Sequence, residues 1–118
     1  MIYFDVRSIR VADDELKQRL ADKGLAKTED LQGEVVTTAL FRHYMEHYLA
    51  KREDVNEKMP LLVRQLEATQ AGVPIELYFF LREKDWIPYE HAMADILEHV
   101  YAYANEFGLK VYAQNPTQ

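Results

Sequence analysis

A chain of 118 residues with 48% hydrophobic side chains can fill one modest core and not two. Its net charge of −6, with the acids spread along the sequence, argues against a nucleic-acid surface, which needs clustered Lys and Arg. The absence of cysteine removes disulfides, thiolate metal ligands and thiol nucleophiles together, and fits a reducing compartment.

Ile2 to Val11 reads as the first strand, with Phe4, Val6 and Ser8 on one face and Tyr3, Asp5, Arg7, Ile9 and Val11 on the other. Its start is strand-like and contains Asp5, so no signal peptide is expected. Nowhere does an apolar run approach the roughly 20 residues needed to cross a bilayer. Residues 12–36 read as a polar, helix-prone surface insertion. Asp13 or Asp14 is placed to cap a short helix through Leu20, and Gly24 to end it.

The next helix is clearer. Leu40, Phe41, Tyr44, Met45, Tyr48 and Leu49 form one apolar stripe at the helical period, with Arg42, His43, Glu46 and His47 beside or opposite it. Thr37 is the expected N-cap, and the helix dissolves in the charged run 51–54 before Pro60. Residues 61–81 then read as a β-hairpin, two apolar runs around a polar loop holding Gly72 and Pro74. Ile75, Leu77, Phe79 and Leu81 share one face. Glu76, Tyr78, Phe80 and Arg82 share the other. Asp85 is the expected cap of a last helix, with Pro88 in its first turn and a stripe of Met93, Ile96, Leu97, Val100, Tyr101 and Ala104. Gly108 is the expected left-handed stop, Leu109 to Ala113 a short final strand, and residues 114–118 a fraying tail.

The order is thus β, insertion, α, β, β, α, β in a single domain over residues 1–118. Two helices with one apolar stripe each bury it by lying on one face of a four-stranded sheet. Right-handed crossovers then favour an α+β, ferredoxin-like βαββαβ sandwich. That architecture hosts many functions and identifies none.

Signals of chemistry are weak. His43-Tyr-Met-Glu46-His47 matches the H-x-x-E-H pattern of the inverzincin metalloproteases, in which two His one turn apart grip zinc beside a Glu base. The chain is far smaller than those enzymes and offers no fixed third ligand. A solvated polar face is the stronger reading. Tyr78-Phe-Phe80 resembles an RNA-stacking strand only superficially, since basic and glycine-containing strand motifs are missing. The four glycines are scattered, so no phosphate loop exists, and Ser8, the only serine, sits mid-strand. No catalytic, cofactor-binding or metal-binding residue is therefore assigned, and no enzymatic activity or nucleic-acid partner is expected.

The segments Leu61-Leu-Val-Arg-Gln-Leu-Glu67, Gly72-Val-Pro-Ile-Glu-Leu-Tyr78, Tyr89-Glu90, Ala94-Asp-Ile96 and Glu106-Phe-Gly-Leu109 with Val111-Tyr112 together resemble the cytoplasmic C-terminal domain of bacterial miniconductance mechanosensitive channels. These belong to the small-conductance mechanosensitive channel family. Leu40-Phe-Arg42, Tyr44, Tyr48-Leu49 and Ser8-Ile-Arg10 also fit, and the resemblance weakens between Ala12 and Val36. It departs at Thr37-Thr-Ala39, where the family often carries an Asn-Leu-Gly-like approach to the first helix. The resemblance implies a non-catalytic domain of a homo-heptamer on the cytoplasmic side of the inner membrane. Such channels release ions and small solutes on hypo-osmotic shock. The domain would touch the membrane only through upstream pore helices that this sequence lacks. A tyrosine-rich composition and exposed strand edges at 61–66 and 109–113 suit contact with copies of itself. An acidic vestibule would mildly favour cations. The competing expectation is a free-standing ferredoxin-like domain that binds a small regulatory molecule.

Overall fold

The expected hairpin forms around the best apolar run in the chain. A computed structural model describes residues 1–112, and in it β2 (Leu62–Gln65) pairs antiparallel with β3 (Val73–Tyr78). Val63 lies opposite Leu77, and Arg64 opposite Glu76. Pro74, expected in the loop, is instead the second residue of β3. Leu66 N–H donates to the Pro74 carbonyl at 3.0 Å, but proline has no N–H to return, and the β2 ladder stops there. The turn itself is tight. Thr69 and Gly72 exchange both backbone hydrogen bonds, at 2.8 and 3.1 Å.

The first strand is shorter than its alternation suggested, with β1 covering only Ile2–Phe4. Asp5 breaks it. Its carboxylate accepts the Arg7 N–H at 2.9 Å, and its carbonyl accepts the Ser8 hydroxyl at 2.6 Å. These local bonds compete with a ladder and coil Val6–Ser8 into one 3₁₀ turn. Val11 keeps only an isolated bridge to Val36. The expected final strand over Leu109 to Ala113 is likewise reduced. Val111 bridges Phe4, with Asp5 N–H to Lys110 O at 2.8 Å and Tyr112 N–H to Tyr3 O at 2.7 Å. Ala113 and the 114–118 tail lie outside the described residues. Among the described residues the sheet is therefore three-stranded and antiparallel, in the order β1-β3-β2, and not four-stranded.

Among the described residues three α-helices complete a mixed α+β domain. Helix α1 (Asp14–Asp22) is capped by Asp13, one of the two acids expected there, whose carboxylate accepts the Leu16 N–H at 2.8 Å; Asp14 is the first helical residue. Leu16 and Leu20 are buried in the same core as the sheet. Helix α2 (Thr37–Lys51) starts differently from expectation. Val36 holds the N-cap position without a side-chain bond. Thr37 is the first helical residue and fully buried. Its hydroxyl accepts the Arg10 N–H at 3.2 Å and donates to Ser8 O at 3.3 Å, so it stitches the helix to the segment after β1.

Helix α3 (Trp86–Ala104) begins after Asp85, which holds the cap position but makes no side-chain bond. Pro88 sits in its first turn, where a missing N–H costs nothing. The helix runs into a 3₁₀ turn, Asn105–Phe107, and Gly108 ends it in the left-handed region at φ 75°.

Cross-strand pairing puts Ile2, Phe4, Val63, Val73, Ile75 and Leu77 on one sheet face. Five of these six, all but Val73, pack with the helices in one apolar core. Phe41 from α2 sits at its centre. Its ring meets Phe4 and Phe107 edge-on, each at 5.5 Å. The opposite sheet face carries the Arg64–Glu76 ion pair at 2.6 Å and the half-exposed Leu62–Tyr78 pair.

Candidate functional site

Helix α2 presents two lateral faces beyond its core stripe, and each makes a distinct site. On one side, Tyr44 and Tyr48 are only half-buried, because the core beneath them is already filled by Leu40, Phe41, Met45 and Leu49. Helix α3 slots His99 into the gap. The imidazole stacks on Tyr48 at 3.7 Å and on Tyr103 at 4.1 Å, both nearly parallel. The Tyr44 hydroxyl lies 2.6 Å from His99 Nε2. Arg52 closes the stack from the end of α2. It donates to the Tyr48 hydroxyl at 2.9 Å and pairs with Asp54 at 2.6 Å.

The electrostatics follow from that packing. Burial, then the neighbouring Tyr103 and Tyr48, push the Tyr44 phenol up to about 12, so it stays protonated. Arg52 raises its own affinity for protons by bonding Asp54, and holds Asp54 below the usual carboxylate range. Burial, then the Arg52 guanidinium, hold the His99 imidazole below its ordinary value of 6.5. A base with a depressed folded value binds fewer protons than the unfolded chain between the two values. Its contribution to stability is full above the unfolded value and falls away as pH drops below it. The urea midpoint is therefore expected to fall between about pH 7.5 and pH 5.5. His99→Phe keeps a flat ring in the stack but cannot titrate, and should flatten that slope. An equal slope in both proteins would show that the stack is not its source.

Beside the stack, the segment after α1 folds over α2 and leaves a pocket of about 280 Å³. Leu25, Ala26 and Leu40 line it from within, Tyr44 and Tyr48 give it ring surface, and Lys27, Lys51, His43 and His47 stand around it. Asp30 is the only acid on the lining among the described residues, and its carboxylate lies 3.9 Å from His43 Nδ1. The sequence marked His43 and His47 as a pair on one helix face, and they do share this pocket. The zinc-protease geometry does not form. Glu46, which would be the base, turns to the sheet and accepts the Val63 N–H at 2.9 Å. Among the described residues no three His, Asp or Glu side chains converge to hold a metal ion.

The other side of α2 faces the free edge of β2. There Glu46 occupies one outward N–H, which partly blocks the edge against strand addition. An open groove continues along it past Arg42, Leu66 and the exposed Val6. Arg42 Nε is buried there without a hydrogen-bond partner among the described residues.

Helix α3 is less covered than its stripe suggested. Ala92, Ile96, Val100 and Ala104 face the core, while Leu97 and Tyr101 lie on the exposed side, 38% and 49% accessible. They continue a surface ridge that begins at Trp86, itself 74% accessible. The period of the helix gave the direction of its apolar arc, but the partner surface covers only one flank of it.

No helix is long and apolar enough to cross a membrane among the described residues. Comparison with known protein families and with solved structures finds no family and no structure that matches the chain.

Proposed function

We propose that this chain is the cytoplasmic α/β domain of a bacterial miniconductance mechanosensitive channel, a non-catalytic part that assembles with copies of itself and helps enclose the vestibule. The observation that carries this reading is the way the family-like segments fall on consecutive elements. Leu61 to Glu67 spans β2, Gly72 to Tyr78 spans β3, and Leu40 to Leu49 lies within α2. Ala94 to Ile96 lies within α3, and Glu106 to Leu109 brackets the left-handed stop at Gly108. Five segments that are each weak alone thus make one ordered set.

The finer fold belongs to the same reading. The Phe4–Val111 bridge stands on the far side of β1 from β3, where a ferredoxin-like sheet carries its fourth strand. We take it as that strand cut to one rung. The surface supports a subunit role. The ridge of Trp86, Leu97 and Tyr101 leaves apolar area in water that a neighbouring copy would cover. In this reading the partners are six further copies and the permeating ions and solutes, and the place is the cytoplasmic side of the inner membrane.

The test is the full open reading frame, expressed and recorded in membrane patches. Tension-activated current of small conductance from a homo-oligomer is expected. In that protein, Leu97→Glu with Tyr101→Glu should weaken the association constant at each subunit interface roughly tenfold, about 1.4 kcal/mol. The fold of each subunit should survive, because both positions are exposed. A reading frame without pore helices, or a monomeric product, would overturn the proposal. The pocket beside α2 is the observation that favours the second reading, a free-standing small-molecule-binding regulatory domain. A metabolite retained through purification would support it.

A further inference from the structure

The pocket between the segment after α1 and helix α2 has a chemistry opposite to that of the whole molecule. The chain carries −6, yet among the described residues this lining combines Lys27 and Lys51 with a single acid, Asp30. Neither lysine forms an ion pair among the described residues. The Asp30 carboxylate already faces His43. A local positive field set in an acidic surface concentrates anions at one place, since the rest of the surface repels them.

The walls narrow the ligand further. Leu25, Ala26 and Leu40 are apolar, and the Tyr44 and Tyr48 rings lie within 20° of parallel. Such a lining takes the flat face of a ring and gives little to a bare inorganic ion. The volume of about 280 Å³ stands at the small end of ligand sites and suits one ring with one substituent. A divalent metal is not the occupant this lining selects, because no third ligand converges on His43 and His47. A cationic ligand would meet two ammonium groups.

The geometry points to a binding site for a small aryl anion, a single aromatic ring bearing one carboxylate or phosphate. The ring lies against Leu40, Tyr44 and Tyr48, and the anionic group reaches the lysine-bearing rim. The inference rests on the pocket alone, so it holds whether the domain hangs from a channel or stands free.

The experiment is a titration of the ¹⁵N-labelled 118-residue protein with phenyl phosphate and with benzoate. Inorganic phosphate and benzylamine serve as comparators. Saturating shifts are expected in the backbone from Gly24 to Asp30 and along α2 from Leu40 to Lys51, with a Kd on the order of 1 mM or tighter. Whichever aryl anion binds more tightly identifies the phosphate or the carboxylate as the preferred group. The double variant Lys27→Ala with Lys51→Ala should raise that Kd roughly fivefold, as expected for losing two exposed charge contacts. Its melting temperature should not change, because both side chains are exposed. The inference fails if neither aryl anion gives a saturating shift below about 10 mM. It fails equally if inorganic phosphate or benzylamine binds as well, or if the double variant binds like the parent.

Discussion

Phe41→Ala is expected to remove about 4 kcal/mol of folding stability, the usual range for deleting a buried phenyl ring being about 3–5 kcal/mol. The upper part of that range follows from where the ring sits. Phe41 is fully buried, and its two edge-on partners come from β1 and from the turn that ends α3. Each such pair adds about 0.5–1.5 kcal/mol beyond area burial. The cavity cannot collapse easily, because Phe4 is held by the sheet and Phe107 by the stop at Gly108. Domains of this size hold roughly 5–15 kcal/mol in all, so the variant should stand near the edge of folding. Urea unfolding reads the loss as a lower midpoint with an unchanged slope. Phe41→Leu keeps most of the volume and should cost about 1.5 kcal/mol. A loss below about 1 kcal/mol for the alanine variant would mean that the three rings do not form the centre of the core.

The elements that could be read from sequence are those whose cause is local. The α2 stripe, the Asp13 cap and the Gly108 stop each depend on residues within one or two turns. The hairpin was legible because two apolar runs flank turn residues. The first strand failed for a local reason that period-two alternation conceals. Asp5 and Ser8 satisfy their own backbone, so the chain coils where the pattern says it should extend. Thr37 failed for a distant reason. Its hydroxyl is claimed by Ser8 and Arg10, 29 and 27 residues away, and no capping rule contains that competition. Leu97 and Tyr101 failed because hydrophobic side chains mark a face without saying how much of it is covered. The residues that do face the core include Ala92 and Ala104, whose small size is what lets α3 come close.

The candidate site was legible in halves. His43, Tyr44, His47 and Tyr48 stand together in the sequence, and helical spacing puts them on adjoining faces. What converts them into a pocket comes from elsewhere. The Gly24 to Asp30 segment supplies the other wall with Lys27, which no motif marks. His99 comes from 55 residues downstream to fix Tyr44. Because the H-x-x-E-H pattern carries no information about what lies opposite it, Glu46 satisfies a strand edge rather than a metal-bound water.

Gly72→Ala should be the costliest change at any glycine, about 3 kcal/mol, and the comparison with Gly24→Ala separates its two causes. Both glycines hold positive φ, +106° at Gly72 and +69° at Gly24. For an L-residue that conformation alone costs about 1–2 kcal/mol. At Gly24 a Cβ would meet nothing within 4 Å, so conformation is the whole penalty there. At Gly72 the Cβ would stand 2.7 Å from the Phe4 carbonyl oxygen and 3.1 Å from Tyr112 Cβ. The nearest atom is backbone, and it cannot swing aside as a side chain would. Phe4 is fixed on one side by Val73 and on the other by the bridge to Val111. Relief therefore requires the hairpin tip to lift from β1, or the C-terminal segment to leave it. Hydrogen exchange tells the two apart. Faster exchange at Asp5 and Tyr112, whose N–H groups bond Lys110 and Tyr3, reports departure of the C-terminal segment. Faster exchange at Thr69 and Gly72 reports a lifted tip. If the two alanine variants lose equal stability, the close approach at Gly72 carries no energy. The hairpin would then not be what clamps the first strand against the last described residues.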